Sequence, residues 1–505
     1  MTSAYEDNIT EVADDAYYED LELQQQAAEQ RWRTVKKTAL IIFIFGALSM
    51  PFTASECNCS IMVPLLAWLN CAVYTFFAIY FLRQQTLNCL IPIIAPMIMV
   101  VGSALGVVFF AIFYPNEEYS TLIESTSFFA GGVRFQMVIL LFLLSYLIPL
   151  KWMLRPERQV TESAQHFTKS IAYIAMIVYV PTIAFRVFVQ IVPVSGIIKW
   201  FGEGMMIYCN GFMFIIGSVF PRLPKIFKMI VFATLGAILI VFTVASSRGK
   251  ALFPIAYLLL GYLVFSSAKL KTKMIPVVIF MMALPLYTVL GETVRAITHT
   301  VGFEDFSGRL AALREWKYVF QKAGDPIRQM FGRFFFNGGN TVIASTPYQH
   351  PFLDFSLGRF TMETLESLLP GALVHNPFYR GVQILKEYGL NVSEKTSIEV
   401  SIIGHLWLLG GYIPVIIGGF TMSLIHGFAA WRIRAAWFKN PDKAMLYFAV
   451  LLQGFMDYFN LDIIENLRYT LWRLLFAFVL YHMISPLLKM GYRQASDQDL
   501  IEEFA

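Results

Sequence analysis

The stretch ETVRAITHTVGFEDFSGRLAALREWKYVF (residues 292–320) opens a segment, running to Thr396, that holds no apolar block long enough to cross a bilayer. The segment carries aromatics, glycine pairs and a scatter of arginines: Arg295, Arg309, Arg314, Arg328, Arg333, Arg359 and Arg380. A connection this long is uncommon unless it folds and works. On both sides the composition changes to apolar blocks of about 20 residues, the length of a membrane-crossing helix. This contrast sets the expected fold class: all-α, a polytopic membrane protein with about twelve transmembrane helices and one large, mainly helical extracytoplasmic loop.

The predicted spans lie near 38–55, 61–82, 90–113, 132–150, 169–192, 196–219, 226–246, 251–267, 274–291, 398–426, 443–460 and 466–486. Of the 505 residues, 57% are hydrophobic and only 15% charged, where a soluble protein spends about a quarter on charge. The alternation of a β-barrel is missing. A net charge of +4 is small, and no nucleic-acid partner is expected from it. Cys57 and Cys59 alone among the cysteines lie outside apolar blocks; a metal pair there would want a second pair, which the sequence lacks.

Charge placement orients the chain. The first thirty residues are acidic, with Glu6, Asp7, Asp14, Asp15 and Glu19 among them, and free of Lys and Arg, unlike the basic start of a signal peptide. Basic residues then fall in alternate connections: Arg83, Lys151/Arg155/Arg158, Arg222/Lys225/Lys228, Lys269/Lys271/Lys273 and Arg432/Arg434/Lys439. Lys and Arg accumulate on the cytoplasmic side, so both termini are expected inside and the long segment outside. The expected divisions are an acidic cytoplasmic tail (1–35), nine spans (36–291), the extracytoplasmic cap (292–396), three further spans (397–488) and a cytoplasmic tail (489–505).

With that orientation, the charges in or beside spans fall on one side. Arg186, Lys199, Glu203, Arg248, Lys250, Glu292, Arg295, Glu399, His405, Asp457, Glu465, Arg468 and Arg473 map to the outer third of the membrane. Such residues are costly in a bilayer and default to functional candidates; taken singly, each also fits an interfacial side chain or an ion pair such as Lys199–Glu203. A polar site beneath a folded cap suits an enzyme acting on an amphiphile. There is no P-loop, no H-E-x-x-H and no G-x-S-x-G elbow. His299, His350 and His375 are too dispersed to share a metal, so no metal or cofactor is expected. Arginine offers a planar fork for phosphate oxygens. A transfer that expels a diphosphate needs such donors and a base for the attacking hydroxyl.

The segment Val244-Ala245-Ser246-Ser247-Arg248-Gly249-Lys250, the long outer loop and the glycine-rich Ser401-Ile402-Ile403-Gly404-His405, with Gly410-Gly411 and Gly418-Gly419 after it, resemble the O-antigen polymerase and oligosaccharide repeat unit polymerase group. The O-antigen ligases share the layout. The resemblance implies a bacterial inner-membrane glycosyltransferase, independent of metal, that joins repeat units carried on undecaprenyl diphosphate, with a chain-length regulator as a further partner. It places Arg248 on the diphosphate and matches Arg333 and Arg359 to the group's loop arginines; the outer-side charge cluster adds Arg186 and Lys250 as further contacts and Glu399 or His405 as base candidates. A ligase-type transferase or a flippase for the same lipid-linked glycan are the competing readings, and an outer-face protease ranks below both. The glycine pairs also read as helix-packing positions. Within the cap, amphipathic helices are expected at Phe306–Gln321 and Met362–Leu369.

Overall fold

The computed structural model describes residues 62–82, 90–97, 99–100, 103–104, 125–154, 169–192, 198, 209–244, 248–265, 272–280, 282–283, 287, 290, 356–367, 401–457 and 463–503. Among these residues the regular structure is entirely helical, with no strand. In chain order the helices are α1 (Met62–Leu82), α2 (Ser125–Met153), α3 (Lys169–Ile191), the short α4 (Phe212–Val219), α5 (Lys225–Val244), α6 (Arg248–Phe265), α7 (Leu357–Ser367), α8 (Ile402–Leu408), α9 (Tyr412–Lys439), α10 (Pro441–Asp457) and α11 (Ile463–Glu503). Five of them, α1, α2, α3, α5 and α9, are long and apolar enough to cross a membrane. Ile177, Met229, Ile240 and Ile413 project fully from these helices, as lipid-facing side chains do. The protein is membrane-embedded and helical.

The helices pack through small residues, which let backbones approach where no hydrophobic effect drives them together. A side chain on Gly217 would collide with the Leu258 carbonyl, and one on Gly261 with the Phe214 carbonyl, so α4 and α6 meet backbone to backbone. Gly211, just before α4, lies equally close to Ala449 of α10. Gly419 receives Ser145, and Gly427 receives Met153, along the contact of α9 with α2. That contact is also closed by a buried hydrogen bond of 2.7 Å between Tyr146 Oη and His426 Nδ1.

These contacts fix directions. Helices α1, α2 and α9 run parallel: Asn70 bonds Gln136, Lys151 lies over Tyr80, and Gly419 and Gly427 follow Ser145 and Met153. Asn440 alone separates α9 from α10, so α10 returns and α11 starts back at the first end. Basic residues Lys151, Arg222, Lys225, Lys273, Arg432 and Lys439 gather at one end of the bundle, and α7 sits at the other, packed on α11. The alternation of basic connections read from the sequence is thus present wherever the residues are described.

Three expectations change. The predicted span 398–426 is not one helix: α8 ends at Leu408, the chain turns through Gly410 (φ 145°) and Gly411 (φ 79°), and the crossing helix begins at Tyr412. Those two φ values lie where residues with a side chain are strained, so this glycine pair serves a turn; Gly418 and Gly419 do serve packing, against Leu406 and Ser145. Arg248, which the predicted spans 226–246 and 251–267 leave in the connection, instead opens α6. The cap helix expected at 362–369 begins five residues earlier, at Leu357, where the Ser356 hydroxyl accepts from the Arg359 N–H. The expected helix at 306–321 and the span at 38–55 lie outside the described residues.

Candidate functional site

Helices α3, α4, α10 and α11 meet in a four-way junction whose polarity changes along its length. Toward the basic end it is aliphatic: Ile171, Ala175 and Val178 of α3 face Ile215 of α4, Leu446 of α10 and Leu480 of α11. Toward the α7 end it turns polar. The Thr182 hydroxyl donates to the Val178 carbonyl of its own helix at 2.7 Å, and Cys209 is buried just before α4. Next to Cys209, Asn210 donates to Gln453 Oε1 at 2.8 Å. Gly454, beside Gln453, receives Arg473 of α11. One turn beyond Thr182 on α3 stands Arg186.

Both arginines are inside the protein: Arg186 is 0% exposed and Arg473 1%. Arg473 lies ten residues into α11, about 15 Å along its axis, and Arg186 about 8 Å from the end of α3. Each guanidinium rests on an aromatic face, Arg186 5.5 Å from the centre of the Phe242 ring and Arg473 5.6 Å from that of Tyr469. A planar cation stacks well in this way and stays charged when buried. On the junction helices, the Asn210 Oδ1 and the Tyr179 hydroxyl are buried and make no hydrogen bond among the described residues. Thr243, next to Phe242, bonds the Tyr287 hydroxyl at 3.0 Å.

A second cluster abuts α11 at the same end. The ring of Phe360 on α7 packs on His405 of α8, centroids 6.4 Å apart, and Arg134 of α2 lies over Trp407, 5.8 Å from its centre. His405 is 0% exposed; α8 is buried along its whole length and capped by the Ser401 hydroxyl. Arg359 stays 49% exposed and holds the buried carboxylate of Glu363 at 3.2 Å. Arg359 is therefore engaged with Glu363 of its own helix, whereas Arg186 lies against Phe242 of α5.

Of the residues singled out from sequence, Arg186, Arg359 and His405 thus sit at the α7 end in two adjoining clusters. Arg248 and Lys250 occupy the first turn of α6 at that end, described by their backbone alone. Arg333 and Glu399 lie outside the described residues. Residues the sequence reading passed over are Arg134, Thr182, Asn210, Glu363 and Gln453. The uncharged ones give no charge signal inside an apolar block, and Asn210 meets its partner 243 positions away.

No protein-family model, curated protein or solved structure matches the chain.

The Asn210–Gln453 bond offers a measurement of how firmly the junction is tied. Hydrogen bonds between membrane helices are worth about 0.6 kcal/mol on average and up to about 1.7. A double-mutant cycle of Asn210→Leu and Gln453→Leu, read by thermal melting in detergent, is expected to give a coupling in that range. Strict additivity would show that the two side chains act independently.

Proposed function

We propose that the protein is a membrane glycosyltransferase that polymerises lipid-diphosphate-linked oligosaccharide repeat units. The observation that carries this reading is the burial of two arginines, Arg473 at the polar end of a junction whose other half is aliphatic and Arg186 against Phe242 of α5. Burying even one arginine in a membrane interior costs about 2.5–3.5 kcal/mol on insertion scales, so two of them call for a function. An anion fits them, and the hydrogen-bonding capacity left at Asn210 and Tyr179 suits a hydroxylated or hydrated head group beside it.

In this reading about twelve spans carry the site in a bacterial inner membrane. The basic end is cytoplasmic by the positive-inside rule, both termini lie on that side, and residues 292–396 form the extracytoplasmic cap. The prenyl chain of the donor stays in lipid while its diphosphate enters among Arg186, Arg248 and Arg473. The acceptor hydroxyl attacks the anomeric carbon, its proton goes to Glu399 or His405, and the prenyl diphosphate leaves, its charge held by the guanidinium groups. His405 lies under Phe360, so its use as the base requires α7 to lift.

Purified protein incubated with lipid-linked repeat unit alone tests the reading: a ladder of products is expected. Transfer only on adding a lipid A core would make it a ligase, and movement of intact donor across a vesicle bilayer would make it a flippase. In the same assay Arg248→Ala is expected to insert and fold normally yet yield no long chains. Arg248→Lys should also be poor, because an ammonium loses the bidentate fork. Normal chain length in both variants would take Arg248 out of the mechanism.

A further inference from the structure

We infer that Gly454 is a positioning residue, the seat that fixes the guanidinium of Arg473; the functional part of this inference rests on the reading above. A Cβ built on Gly454 would stand 2.7 Å from Arg473 Nη1, 3.4 Å from its Cδ and 3.5 Å from its Cζ. The Nη1 edge of the guanidinium therefore occupies the space that a side chain at 454 would fill. On its own helix, Tyr469, one turn earlier, presents its ring 5.6 Å from Cζ. The cation is thus bounded by a ring from α11 and a backbone from α10.

The neighbours on α10 show why the position is so well determined. Gln453 is tied to Asn210, and Ala449, about one turn away, is pressed against Gly211 with no room for a side chain there. The segment of α10 that leads into Gly454 is therefore anchored to α4 at two points, Ala449 and Gln453. It cannot retreat, so an added methyl at 454 has to be accommodated by the arginine. Gly236 on α5 provides the contrast, since a Cβ there would meet nothing within 4 Å. In mid-helix a glycine costs about 1 kcal/mol relative to alanine; the seat for Arg473 accounts for it at 454.

The test reads the guanidinium itself. Full-length protein in detergent is treated with phenylglyoxal, and modification at Arg473 and Arg186 is followed by mass spectrometry of their peptides. Gly454→Ala is expected to speed modification of Arg473 about tenfold, the shift that overpacking by about 1.4 kcal/mol would produce, with Arg186 unchanged. Gly236→Ala should leave both rates at wild type. Gly211→Ala, which disturbs the same α4–α10 contact away from the arginine, reports general loosening. An equal rise at Arg473 in Gly211→Ala and Gly454→Ala, or no rise in Gly454→Ala, overturns the inference. If Gly454→Ala is too unstable to purify, Gly454→Ser in native membranes gives the same readout, with the same two outcomes deciding. The glycan ladder is measured in parallel. Faster modification of Arg473 with an unchanged ladder leaves the seat standing and sinks the role of Arg473 in transfer.

Discussion

Arg473→Met and Arg186→Met are each expected to cut formation of long glycan by about 10²–10³-fold, the loss seen when one preorganised donor is removed from a developing charge. Methionine keeps most of the volume in the space that each guanidinium fills against Tyr469 or Phe242, so the variants separate charge from packing. Replacing a buried ionic group by a well-packed apolar one is often neutral or stabilising. The melting temperature in detergent should therefore stay at or above that of the wild type while activity falls. A collapse of stability with no intact protein left to assay would mark the arginines as structural ion-pair partners. Wild-type chain lengths in both variants would remove the pair from the chemistry.

The spans that proved legible were those where length and hydropathy decide alone. Lys169–Ile191 is a helix where the sequence places a span at 169–192, and Lys225–Val244 lies within two residues of its expected limits. What was hidden depends on partners far off in the chain. Nothing in the local pattern separates Gly410-Gly411, which turns the backbone, from Gly418-Gly419, which admits neighbouring side chains; the φ values and the contacts do. The site divides in the same way. A charge in an apolar block is conspicuous, so Arg186 and Arg473 could be singled out. Their depth, and the uncharged Thr182, Asn210 and Gln453 of the junction, follow only from how α3, α4, α10 and α11 come together.

The second large effect concerns that assembly. Gly217→Leu is expected to prevent α4 from seating on α6, because its side chain would have to displace the Leu258 carbonyl, a backbone group with no rotamer to yield. Overpacking of side chains alone costs about 1–3 kcal/mol, and displacing backbone should exceed it. The expected result is little protein extracted as a monodisperse peak and a much lowered melting temperature. Gly261→Leu should behave alike. Since both residues serve one interface, the double variant should be less than additive. Full additivity would place the two glycines in separate contacts.

The aliphatic half of the junction has a consequence beyond packing. Ile171, Ala175, Val178, Ile215, Leu446 and Leu480 line the junction between Arg473 and the basic end, and an ion leaving Arg473 in that direction would shed its hydration against hydrocarbon. The junction is an electrical insulator in series with a charged compartment. Charge can therefore be held at one end of the seam with no conducting route through its aliphatic half.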